Sequence, residues 1–228
     1  MLIKNGADVN ARNKLQKTPI FNAHSVELLE FLIKKGADIN AINIYGENVL
    51  FENPQRKLNM YKIYLDNNCN VNQKDRDGRT ILFYNVEYEL VKLLVQYGAT
   101  QNVIDKQGRS VLFNDYCSDD VIRFFIKNGA DVNHKDNYGN TPLFNAIFLI
   151  HTGFLGNNLE LKIHKIKSRI RLLIDHGADI FHKNDAGETV YDYYRKHWKT
   201  ENYNNSNDSI ILIENMLLEQ KNYLSKRL

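Results

Sequence analysis

The sequence predicts an all-α solenoid, a stack of helix–turn–helix units joined by β-hairpin-like turns, and three observations predict it. Gly-Ala-Asp recurs at Gly6, Gly36, Gly129 and Gly177, while Gly98-Ala99-Thr100 and Asn68-Cys69-Asn70 fill the remaining slots. A polar residue leading a short apolar run recurs at Thr18, Asn48, Thr80, Ser110 and Thr141, with a degenerate copy at Thr189. The interval between the two elements is 12 residues in all six copies. Fixed self-similarity of this kind marks units that bury their apolar faces by stacking on one another.

The second helix of each unit is read backwards from the Gly slot. Apolar residues stand 8, 7, 5, 4 and 3 places before it: Leu28, Leu29, Phe31, Leu32 and Ile33; then Leu90, Val91, Leu93, Leu94 and Val95; then Val121, Ile122, Phe124, Phe125 and Ile126. Those offsets share one helical face. The Gly slot is then the residue just past the helix, where a left-handed backbone is favoured. Asn68 stands there in one copy, and Asn tolerates that conformation next best.

The connecting turn follows. A second glycine stands at Gly46, Gly78, Gly108, Gly139 and Gly187, each with Asn or Asp three places earlier (Asn43, Asp75, Asp105, Asp136, Asn184). This chemistry predicts a tight hairpin. The Thr or Ser that comes next is placed to cap a first helix, with Pro19 and Pro142 at its first position.

From the Thr slot to the next Gly slot the interval varies, at 18, 20, 18, 19 and 36 residues. Insertions therefore fall in the helical half, and the first helix is expected to be stubby. In the fifth copy Leu143 to Ile150 prolongs the first helix, 153–158 reads as a turn, and Leu159, Ile163, Ile166, Ile170 and Leu173 lengthen the second.

Thr-Pro-Leu-Phe at Thr141 and Gly-Ala-Asp-x-Asn at Gly6, Gly36 and Gly129 make the chain resemble the ankyrin-repeat family. The likeness runs from Met1 to about Tyr194. Two departures stand out. The His of the family tetrapeptide is Phe21, Phe51, Phe83, Phe113 and Phe144 here, and four of the five periods fall short of the usual ~33 residues. The resemblance implies one ankyrin-repeat domain over 1–228. Its parts are a partial repeat 1–17, repeats 18–47, 48–79, 80–109 and 110–140, an enlarged repeat 141–188, and a capping unit 189–228 with Tyr191, Tyr194 and Trp198 in its first helix. The chain opens inside a second helix, as expected of a fragment, a mis-assigned start or a half-repeat cap.

Composition narrows the function. Lys and Arg exceed Asp and Glu by only 30 to 27, which disfavours nucleic acid as the main partner. Cys69 and Cys117 make no disulfide framework, so a reducing, cytoplasmic setting (host cytoplasm for an effector) is expected. No signal-peptide pattern opens the chain, and the longest apolar run, Leu143 to Leu155, is shorter than the ~20 residues of a membrane span. The sequence holds no phosphate-binding glycine loop, no His-Glu-x-x-His and no paired Cys-x-x-Cys. His24, His134, His151, His164, His176, His182 and His197 are scattered, so no catalytic residue, metal ligand or cofactor is expected. The basic stretch Lys162 to Arg171 reads as the solvated face of an amphipathic helix, with an anionic contact as the other reading.

The expected partner is another protein, not a small-molecule substrate. In such a stack the resemblance implies a concave face lined by hairpins and first helices, and aromatic residues and Arg are typical interface anchors. The candidate hairpin residues are Arg12, Lys14, Ile42, Ile44, Tyr45, Lys74 and Arg76, then Ile104, Lys106, Lys135 and Tyr138. Tyr84, Asp115 and Tyr116 join them from the first helices, with Asn114 beside them. Packing of Ile42 and Ile44 on neighbouring hairpins is an equal alternative to partner contact. An immunity or inhibitor protein, or a host-directed effector, are the specific forms such a scaffold could take.

Overall fold

The computed structural model describes residues 2–52, 57–84, 86–114, 117–151, 159–198 and 215. The regular elements among the described residues are all helical, and the only β pairing there is one isolated antiparallel bridge, Lys183–Thr189. Short 3-10 turns alternate with α-helices in chain order: Leu2–Asn5, Pro19–Asn22, α1 (Val26–Lys34), Val49–Phe51, α2 (Leu58–Asp66), Ile81–Phe83, α3 (Tyr88–Gln96), Val111–Phe113 and α4 (Asp119–Lys127). Then come α5 (Pro142–His151), α6 (Leu159–Asp175) and α7 (Val190–Trp198).

The stubby first helix expected from the short period is a single 3-10 turn in the early copies. There Phe21, Phe51, Phe83 and Phe113 donate to the carbonyls of Thr18, Asn48, Thr80 and Ser110 at 3.0–3.1 Å. This three-residue reach corrects the expected caps. The backbone carbonyl of the Thr slot takes that amide, and the Thr18, Thr80 and Ser110 hydroxyls make no cap bond and lie buried without a hydrogen-bond partner. Asn48 does cap, through Oδ1 to the Leu50 amide at 3.1 Å. In the enlarged copy Asn145 donates to Thr141 at 3.1 Å with α-helical spacing, and the turn grows into α5.

The second helices end as their Gly slots predict. After α1, the Gly36 amide donates to Ile33 and the Ala37 amide to Leu32, the paired bonds of a Schellman motif. Asn68, with φ at +61°, and Cys69 repeat that pair, donating to the Leu65 and Tyr64 carbonyls. The following small residue points into the core, as Cys69 and Ala99 show.

The chain forms two compact units: Met1–Lys106 with Tyr116–Val121, and Gln107–Asp115 with Ile122–Leu228. In the first, Ile20, Phe21, Leu29, Leu32, Leu50, Tyr61, Tyr64, Ile81, Leu82 and Leu94 are buried. These are the period-defining positions of the sequence. In the second, Leu143, Phe144 and Ile147 of α5 meet Ile166, Ile170 and Leu173 of α6 and Val190 and Tyr194 of α7. Both helices of the enlarged copy are long, as expected. The expected turn at 153–158 lies outside the described residues, as do the side chains of Leu159, Ile163 and Trp198 and the capping unit beyond 198, apart from Asn215. Among the described residues no helix is long and apolar enough to cross a membrane.

Candidate functional site

Asn13, Asn43, Asp75, Asp136 and Asn184 close their hairpins. In the first unit Asn13 Oδ1 accepts the Leu15 and Lys17 amides, Asn43 Oδ1 those of Tyr45 and Glu47, and Asp75 Oδ1 those of Asp77 and Arg79. A side-chain acceptor that ties down two amides of its own turn explains the fixed spacing to the glycine. The first hairpin has no glycine. Gln16 occupies that place with φ at +59°, a copy of the turn that residue identity conceals.

Successive tips are joined by one backbone bond each. The Ile44 amide donates to Leu15 at 3.0 Å, Arg76 to Tyr45 at 2.8 Å, and Lys106 to Asp77 at 2.8 Å. A second row runs behind the tips. Asn10, Asn40 and Asn72 each accept an amide from the next copy (Asp38, Asn70, Thr100) and donate to the carbonyl of its Gly slot. This is the work of the Asn in Gly-Ala-Asp-x-Asn. Lys14, Ile42, Tyr45, Lys74 and Arg76 project from the tips exposed, while Arg12 Nη1 donates to the Gln16 and Ile42 carbonyls at 3.2 and 3.0 Å.

The second unit repeats the scheme. Asp136 and Asn184 close its hairpins, Asn137 donates to Gln107 at 2.9 Å, and Asp185 donates to Tyr138 at 3.1 Å. His134 and His182 contact the Gly108 and Gly139 carbonyls at 2.7 and 2.8 Å, and their rings meet Phe113 and Phe144 edge-on. These histidines brace the turns. Beneath the tips opens a groove of about 470 Å³, walled by Tyr138, Phe144, Phe148 and Tyr193, with Arg109, Asp136 and Glu188 around it. Tyr193 packs against Phe144 and Phe148 at centroid distances of 6.3 and 6.2 Å. Burial, and then the Glu188 carboxylate, hold the Tyr193 hydroxyl above its ordinary range. Glu188 also pairs with Lys196 at 2.5 Å.

The predicted residues divide clearly. Arg12, Lys14, Ile42, Tyr45, Lys74, Arg76, Ile104 and Lys106 are exposed on the first unit, and Lys135 and Tyr138 on the second. Ile44 is half-buried, which is the packing alternative, whereas Ile42 faces solvent. Tyr84 is half-buried and donates to Asp75 Oδ2 at 2.5 Å, and burial pushes its hydroxyl up before that bond does. It braces the hairpin. Asn114 is buried with its carbonyl bonded to Arg169, so it does not belong to a surface. Asp115 and Tyr116 lie outside the described residues. Sequence reasoning missed Arg109, Phe148 and Tyr193. The signal was there for Phe148, an aromatic residue on the exposed side of an otherwise apolar helix.

Among the described residues no group of His, Cys, Asp and Glu is placed to hold a metal ion. Cys69 and Cys117 are both buried, and burial pushes the Cys69 thiol up to about 12, far from a nucleophile's range. His176 bonds the Leu172 carbonyl through Nδ1 at 2.8 Å, a helix-end contact.

Comparison with known proteins agrees with this architecture. A family model described as ankyrin repeats (3 copies) matches residues 51–136 and 87–184. An ankyrin repeat protein of Acanthamoeba polyphaga mimivirus is 30% identical over 106 residues, covering 42% of this chain and 14% of that protein. One from Fowlpox virus is 31% identical over 84 residues, covering 35% of this chain and 31% of that protein. The chain thus spans less than a third of the length of these curated relatives. Among solved structures, the ankyrin repeat domain of Bcl-3, a member of the IkappaB protein family, superposes with a TM-score of 0.63 at 23% identity, over 83% of this chain and 82% of that one. At that identity the likeness speaks for the fold alone.

Proposed function

Because the chain belongs to the ankyrin-repeat family, whose repeats generally serve as protein-interaction modules, we propose that it is a non-enzymatic scaffold that captures a partner protein on its hairpin tips and first-helix surface. One observation carries the reading. The structure spends its polar groups internally, in two rows of inter-repeat hydrogen bonds, and leaves large apolar side chains outward on polar turns. Tyr138, 67% exposed above an aromatic-walled groove, is the plainest case. Aromatic groups held rigidly at a surface with adjacent concavity are the usual anchors of binding energy.

In this reading the tips of the first unit provide a docking edge, and, separately, the groove of the second unit receives an anchoring side chain. The cytoplasm is the expected setting. A displayed random-peptide library, selected against the whole chain, tests the reading without a named partner, and the enriched peptides are re-measured on variants. Tyr45→Ala, Tyr138→Ala and Phe148→Ala should each weaken the selected peptides about tenfold, the size of a moderate hot spot. Lys62→Ala and Lys127→Ala, exposed on second helices, should leave them unchanged. The reverse pattern would place binding elsewhere.

A further inference from the structure

The hairpin tips of the first unit sort charge by direction. Asp75 and Asp105, the acidic members of their turns, are buried. Asp75 accepts two backbone amides and the Tyr84 hydroxyl, and Asp105 Oδ2 accepts Arg79 Nε at 3.1 Å. The earlier turns use neutral Asn13 and Asn43 in the same place. Their basic neighbours one place on either side point outward. These are Arg12, Lys14, Lys74, Arg76 and Lys106, all exposed, against Asp77 as the exposed carboxylate of the same tips. A chain with a formal net charge of only +3 therefore presents a concentrated positive edge. The tip-to-tip bonds Ile44–Leu15, Arg76–Tyr45 and Lys106–Asp77 hold this edge in line.

Apolar groups interleave with the cations. Leu15, Ile42, Tyr45 and Ile104 stand on the same tips and are between 40% and 49% exposed. We propose that this edge docks an extended, acidic polypeptide segment in which carboxylates alternate with aliphatic side chains. Complementary potentials steer such a segment to the edge and fix its register, while aliphatic contacts supply the desolvated area. The aliphatic groups decide against nucleic acid as the occupant. A phosphate chain would use the cations, but its bases stack on aromatic faces, and only Tyr45 offers one here. The inference rests on the scaffold reading and names the chemistry of its partner.

The test measures binding to the whole chain by fluorescence anisotropy. The probe is a labelled synthetic peptide in which Glu and Asp alternate with Leu. Its controls are the same peptide with Lys for every acid, the same peptide with Ser for every Leu, and a single-stranded oligothymidine of matched charge. The acidic Leu peptide should bind most tightly and weaken about tenfold or more between ~50 and ~500 mM salt, as exposed charge pairs are screened. R76E with K106E should weaken it a further ~10-fold, since like charges then face each other. Both amides that join the tips remain in that variant, and an unchanged circular dichroism spectrum certifies the fold. Binding that is indifferent to R76E/K106E, or equally tight for the Ser peptide or the oligothymidine, overturns the proposal. If library-selected peptides still depend on Tyr45 and Tyr138 in that event, only the acidic partner falls. If they do not, the scaffold reading falls with it.

Discussion

The guanidinium of Arg169 on α6 donates to the backbone carbonyl of Asn114 at 3.1 Å, although Arg169 is only 5% exposed. Asn114 ends the 3-10 turn Val111–Phe113, so its carbonyl would otherwise be one of the orphan acceptors of a helix end. Arg169 therefore ties the inserted helix to the preceding copy, and the basic stretch of the sequence is not one solvated face. His164, Lys165 and Arg171 are exposed while Arg169 is internal. Arg169→Met should lower unfolding free energy by about 2–3 kcal/mol, the value of a buried charge-assisted bond. Arg169→Lys should restore only part of it, because one ammonium does not reproduce the planar fork. Urea unfolding monitored by helix signal decides; a midpoint equal to wild type would show that the contact contributes nothing.

Two classes of glycine differ in what a methyl group would meet. At Gly36 and Gly98 nothing lies within 4 Å of an added Cβ, so substitution costs only the left-handed backbone. At Gly108 the added atom would sit 2.9 Å from the Asn137 backbone nitrogen and closer still to its side chain. Gly36→Ala should thus cost about 1 kcal/mol, the usual penalty for that region, and Gly108→Ala clearly more. Conversely, Gln16→Gly should stabilise the chain by up to ~1 kcal/mol, since Gln16 already bears that strain at φ +59°. Thermal unfolding of the three variants orders them; equal losses at Gly36 and Gly108 would mean that the tip contact yields freely.

Much of this was legible in the sequence because it follows from spacing. The constant 12-residue interval fixes the hairpin, and Asn68 in a Gly slot reveals the left-handed turn by its chemistry. The winding of the first helix was not legible. Its shortness follows from the period, but whether the Phe amide bonds three or four residues back depends on where the chain must turn next. Gln16 was hidden because nothing in a glutamine announces a positive φ. The groove was hidden for a different reason. Arg109, Tyr138, Phe148 and Tyr193 come from separate copies, and their convergence depends on α5 being long enough to carry Phe148 past the hairpins.

Cys69 fills the slot that holds Ala37, Ala99, Ala130 and Ala178 in other copies, and its burial gives stability a pH dependence. The unfolded thiol ionises near 9.0 and the folded one only near about 12. Between those values the folded state binds the extra proton, so the thiol's contribution is intact below pH 9 and shrinks as pH rises toward 12. Relative to Cys69→Ala, wild type should lose up to about 1.4 kcal/mol of stability per pH unit across that window. Paired denaturation curves at about pH 8 and about pH 10.5, on either side of the unfolded thiol's pKa, test the slope. Parallel behaviour of the two proteins would show the thiol to be solvated.

One slot of the repeat makes opposite demands in adjacent copies. At Asn48 the side chain is fully used. Its Oδ1 accepts the Leu50 amide at 3.1 Å, and its Nδ2 donates to the Asn70 carbonyl at 2.9 Å and to Cys69 Sγ at 3.4 Å. At Thr80 the hydroxyl is equally buried and has no hydrogen-bond partner. Truncating the first strands the buried Leu50 amide and leaves the part-buried Asn70 carbonyl without this donor, and a stranded buried group costs about 1–3 kcal/mol. Replacing the second by a methyl of the same shape removes an unpaired polar atom instead. Asn48→Ala should therefore destabilise by ~2–4 kcal/mol, while Thr80→Val should be neutral or stabilising by up to ~1 kcal/mol. The contrary case for Thr80 is that its hydroxyl acts as a helix cap, the usual role of Thr ahead of a helix. A loss of about 1 kcal/mol or more in Thr80→Val would show that it does, and that the 3-10 turn relaxes in solution toward the capped form.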